Sequence, residues 1–126
     1  MNLYYNVDKL AFKAFICSDH FIDSLKTLED KTKFFDRAIN KDPDNPYVRQ
    51  HYARMLLRAH KMNLALSQIE ESLSINKSAR ILYHTKGLIL SEMMKESPLD
   101  IARKRLLQSE DCFNQALAMY SKDEYS

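Results

Sequence analysis

A chain of 126 residues, 45% apolar and 29% charged, is long enough to bury one core and is neither a disordered tail nor a membrane-embedded protein. Its formal charge of +2, with both signs interspersed, gives no basis for binding nucleic acid or an anionic membrane. A single glycine, Gly87, excludes phosphate-cradling loops of clustered glycines and turn-rich β architectures, so the expected fold class is all-α.

No apolar run reaches the roughly 18 residues that a membrane span requires. The opening Met1-Asn2-Leu3-Tyr4-Tyr5-Asn6 lacks the regions of a signal peptide. With Cys17 and Cys112 as the two cysteines, no disulfide framework is expected, and the expected location is cytoplasmic.

In chain order, Asn6 reads as the N-cap of a first helix and Asp8 complements its dipole. Val7, Leu10, Ala14, Phe21, Leu25 and Leu28 then recur at helical steps, with the polar Ser18 between. A second helix runs from about Asp30 to Lys41, burying Phe34, Phe35, Ala38 and Ile39. The break at Thr27-Leu28-Glu29-Asp30 holds neither Gly nor Pro, so one continuous helix is the alternative. Asp42-Pro43-Asp44-Asn45-Pro46 cannot be helical, because its prolines remove donors and push Asp42 and Asn45 out of the α region.

Asn45 caps a third helix with Pro46 at its first position, and Val48, Tyr52, Ala53, Leu56 and Ala59 face inward. His60-Lys61-Met62 forms a turn. Asn63 caps a fourth helix that buries Leu64, Ala65, Ile69, Leu73 and Ile75 and ends at Asn76, a residue that tolerates the left-handed conformation. A fifth helix spans about Arg80 to Lys95 with Leu82, Gly87, Leu90 and Met94 inward. Ser97 caps and Pro98 starts a sixth helix reaching about Tyr120, with Leu99, Ala102, Leu106, Ser109, Phe113, Ala116 and Tyr120 on one stripe.

The sequence also matches itself. At a shift of 34, Phe35 falls on Ile69, Ala38 on Ser72, Ile39 on Leu73, Val48 on Leu82, Ala53 on Gly87 and Leu56 on Leu90. At a shift of 44, Ala65, Ile69 and Ser72 fall on Ser109, Phe113 and Ala116, which places a ten-residue insertion between Leu90 and Ser109. Tyr125 stands 78 residues after Tyr47, so the chain is expected to stop where a fourth copy begins.

A helix-turn-helix unit of 34 residues is the period of the tetratricopeptide repeat. On Tyr52-Ala53, Leu56, Ala65, Ile69 and Ser72, with Phe35, Ala38 and Pro43 before them, residues from about Phe12 to Ser126 resemble that family. Arg49 stands where the family places an aromatic, and His60 where it places a turn glycine. The resemblance implies one domain over 1–126: a right-handed superhelical array of about three antiparallel helix pairs, near 7–42, 46–76 and 80–120, the third lengthened by the insertion. Small residues are expected where paired helices approach closely, which accounts for Gly87 inside a helix.

In that family the first helices of the pairs line a concave groove that binds extended or helical peptides. Here the groove is expected to present Tyr47, Gln50, Arg54 and Arg58, then Ile81, His84 and Leu88. Arg54 and Arg58, four residues apart, can reach one acidic group together. The expected function is therefore a non-catalytic scaffold for a protein or peptide partner. The alternatives are a self-associating module, suggested by Leu107, Leu117 and Met119 outside the last stripe, or a sensor segment of a larger signalling ATPase.

No catalytic or metal motif competes with this reading. His20, His51, His60 and His84 lack zinc-site spacing, and the Asp42 turn lacks the glycine and twelfth-position carboxylate of a calcium loop. Glu70 and Glu71 are neighbours on a helix and do not face each other. Arg103-Lys104-Arg105 has no accompanying aromatics and reads as a solvated face. No cofactor, metal, nucleic acid, membrane or small-molecule substrate is expected.

Overall fold

The computed structural model describes Ile22 and residues 24–125, with side chains as far as Met119. All regular structure in these residues is helical: α1 (Leu28–Lys41), α2 (Pro46–Arg58), α3 (Met62–Ile75), α4 (Arg80–Lys95) and α5 (Leu99–Tyr125). The expected cap Asn6 and the expected core residues Val7, Leu10, Ala14 and Phe21 lie outside the described residues, as does the side chain of Tyr120. No described helix is long and apolar enough to cross a membrane.

Local chemistry sets the helix ends. Thr27 is extended, and its hydroxyl accepts the Asp30 N–H at 3.0 Å, so the chain breaks there and α1 begins at Leu28. Asn45 caps α2 by accepting the Tyr47 N–H at 3.0 Å, with Pro46 first in the helix. The Asn45 amide also donates to Asp42 at 3.2 Å, so this turn satisfies itself.

Four expected ends differ. Helix α3 starts at Met62 with Lys61 in the cap position and no side-chain cap, which leaves Asn63 inside the first turn. Asn76 ends α3 in an extended conformation (φ −143°), its side chain accepting the Ser78 N–H at 2.9 Å. The left-handed residue is His60, at φ 60° in the turn between α2 and α3. Ser97 donates back to the Met93 carbonyl at 2.7 Å instead of capping forward, and the Pro98 carbonyl opens α5 by accepting the Ala102 N–H. With 27 residues, α5 runs on to Tyr125 and is about 40 Å long.

Each helix packs on the next, and α2 also touches α4. Phe35 is fully buried and stacks on Tyr52 with ring centroids 5.0 Å apart, joining α1 to α2. Arg49 donates to the Gln68 side chain at 3.1 Å and ties α2 to α3. Ile69, Leu82 and Ile89 have no exposed surface; burying a side chain of this kind contributes roughly 1.5–3 kcal/mol. Ala53 and Ala65 are also fully buried. At Gly87 a Cβ would stand 2.8 Å from Phe113 Cε1, so any larger residue here requires the Phe113 ring to shift.

Five leucines and isoleucines expected inside are exposed: Leu28, Leu64, Ile75, Leu99 and Leu106. Spacing marks one arc of a helix but not which neighbours cover it. Helix α3 buries Ala65, Ile69 and Ser72, and Leu64 and Ile75 fall outside that arc. Helix α5 buries Ser109, Cys112 and Ala116, leaving Leu99 and Leu106 on its flank.

Candidate partner-binding face

Residues 47, 54 and 58 of α2 share one side of the helix, as do 81, 84 and 88 of α4. The two sets occupy the same register, since Tyr47 and Ile81, and Arg54 and Leu88, are each 34 apart. Helices α2 and α4 touch, and the buried Gln50–Thr85 hydrogen bond joins them.

Tyr47 sits in the first turn of α2 and is 46% exposed. Arg54 is half-buried about two turns on, and Arg58 is exposed in the last turn, where its charge also complements the helix dipole. On α4, Ile81 and Leu88 are 37% and 39% exposed, so this side of the helix carries aliphatic surface. His84 lies exposed between them, its ring edge-on to Phe113 of α5 with centroids 5.5 Å apart.

Gln50 does not belong to this face. It is 2% exposed, and its amide donates to the Thr85 hydroxyl at 3.0 Å. A buried amide needs such a partner, and Thr85 lies 35 residues away on another helix, so nothing within α2 announces the bond. Gln50 is a joint between α2 and α4. Sequence reasoning missed both Thr85 and the Phe113 ring that supports His84; the buried hydroxyl carried no periodic signal of its own.

The surface that remains is two-toned. Its α2 half offers a phenol and two guanidinium groups, and its α4 half offers aliphatic surface and an imidazole. Such a strip can hold an acidic group at one end and apolar side chains at the other.

No family model, curated protein or solved structure matches this chain.

Among the described residues, no group of three or more His, Cys, Asp and Glu side chains could hold a metal ion. Among the described residues, two groups have shifted acidities. Burial pushes the Tyr52 phenol up, Asp36 adds to this, and a hydrogen bond with Thr32 opposes it. Burial likewise pushes the Cys112 thiol up, with Lys86 opposing and Asp111 reinforcing, so Cys112 is largely un-ionised near neutral pH and reacts slowly as a nucleophile.

Proposed function

We propose that the chain is a tetratricopeptide-like array of helix pairs, in a right-handed superhelix, that acts without catalysis as a docking module. Its partner is an acidic, partly apolar protein segment. The observation that carries this reading is the matched register of the α2 and α4 sides, Arg54 and Arg58 on one and Ile81 and Leu88 on the other, on helices that touch. The self-match at 34 residues and the close contact of Gly87 with Phe113 support the repeat architecture. A segment docks with its carboxylates against α2 and its apolar side chains against α4.

The test is selection from a random peptide library on the immobilised protein. Expected are acidic peptides whose affinity falls as salt rises and drops about tenfold or more in the Arg54→Ala/Arg58→Ala double variant, measured where that variant remains folded. Undiminished binding in that variant removes the assignment.

A second reading, self-association, draws support from α5. At the shift of 44, Met62 and Leu73 of α3 correspond to Leu106 and Leu117. Met62 and Leu73 pack against the core, whereas Leu106 is 42% and Leu117 64% exposed, with Leu99 and Leu107 barer still. Met119, expected beside them, is half-buried. Light scattering that shows a monomer at high concentration eliminates this version.

A further inference from the structure

The ten inserted residues do more than lengthen a hairpin. A half-open cavity of about 420 Å³ lies between α3, α4 and α5. Leu66 of α3, Leu90 of α4 and Ile101 of α5 give it apolar walls. Lys86 of α4 joins Lys104 and Arg105 of α5 in the same lining. Ile101, Lys104, Arg105 and Gln108 all lie between Leu90 and Ser109, the stretch that the insertion lengthens. The wall exists because the period is broken there.

The basic run in this stretch is not simply a solvated face. Arg103 and Lys104 are exposed, but Arg105 is half-buried. Its Nη1 rests 3.3 Å from the Met93 sulfur, a weak acceptor, and its Nε is buried with no acceptor at all. A buried N–H without a partner is costly, and more so on a charged group. Two carboxylates share the lining, Glu70 and Asp111. Among the described residues neither forms an ion pair with Lys86, Lys104 or Arg105; the Asp111 carboxylate accepts from Gln115 instead, at 3.3 Å. Three cations against two carboxylates leave one net positive charge, which suits a compact acid and disfavours a polyanion.

We propose that this cavity binds a small organic acid, a carboxylate or phosphate monoester on a compact apolar body. Its oxygens meet Arg105, with Lys86 and Lys104 beside it, and its body lies on Leu66, Leu90 and Ile101. The site is separate from the partner face, because Lys86 stands about 160° around α4 from Leu88. Cys112, also in the lining, is a built-in reporter of occupancy.

The test uses the full chain with Cys17→Ser, so that Cys112 is the one thiol left to alkylate. Benzoate and phenyl phosphate are titrated against inorganic phosphate and neutral benzyl alcohol, following the rate of Cys112 alkylation and amide shifts in α3, α4 and α5. Either aromatic acid should slow alkylation about tenfold at saturation, with Arg105→Gln weakening it about tenfold or more and Lys104→Gln several-fold. A preference for phenyl phosphate over benzoate assigns the monoester, and the reverse assigns the carboxylate. Lys104 is exposed, so its variant keeps the fold even if loss of the Met93 contact unsettles Arg105→Gln. Equal protection by benzyl alcohol, protection by inorganic phosphate alone, or an acid affinity unchanged in Lys104→Gln overturns the proposal.

Discussion

The hairpins α2/α3 and α4/α5 bring their helices together at matched positions with unlike residues. In the first, Ala53 and Ala65 are fully buried beside Ile69, and the Ser72 hydroxyl donates to the Pro46 carbonyl at 3.0 Å. In the second, Gly87 takes the place of Ala53, Phe113 that of Ile69, and the Ser109 hydroxyl donates to the Gly87 carbonyl at 2.9 Å. The larger ring on one helix requires the smaller residue on the other. Their outer sides diverge too, cationic on α2 and aliphatic on α4. One packing scheme thus carries two surfaces, because the inner positions compensate one another while the outer ones are free to differ.

The largest expected effect breaks the first hairpin alone. Ile69→Ala should cost about 2–5 kcal/mol in urea unfolding, since Ile69 has no exposed surface, while Phe113→Ala should cost less because its ring is only half-buried. Equal losses contradict the difference between the hairpins. Next in size is Gly87→Ala, where overpacking against Phe113, about 1–3 kcal/mol, outweighs the gain of about 1 kcal/mol in helix propensity. In a Phe113→Ile background, which recreates the Ala53–Ile69 pair, the same change should become stabilising by about 0.5–1 kcal/mol. Additive effects of the two substitutions contradict the matched register.

The smallest effect concerns the connections. The α2–α3 turn holds His60 at φ 60°, and no other described residue has positive φ, so the α4–α5 connection through Glu96, Ser97 and Pro98 carries no such strain. His60→Gly should raise stability by about 0.5 kcal/mol, the relief of left-handed strain partly offset by the freer unfolded chain. A lower melting temperature in that variant argues against strain at His60.

Much of this was legible in the residues themselves. The Asn45–Pro46 start of α2 is local chemistry, as is the buried arc through Val48, Tyr52 and Ala53. A small residue at position 87 was legible from the self-match with Ala53, although the Phe113 ring beside it was not. Spacing failed where an outcome depended on a distant helix. Gln50 looked like a surface residue because Thr85, its partner, lies on α4. Leu64 and Leu99 looked buried because periodicity cannot report that no described helix covers them. Arg105 looked solvated because the cavity beside it is lined by residues of α3 and α4 as well as of α5.

The face formed by α2 and α4 is tested most directly by the amide shifts that a selected acidic peptide induces in the labelled protein. Expected are the largest shifts at Tyr47, Arg54, Arg58, Ile81, His84 and Leu88, with Gln50 affected only through its bond to Thr85. Shifts confined to α5, or to the cavity around Arg105, contradict the assignment.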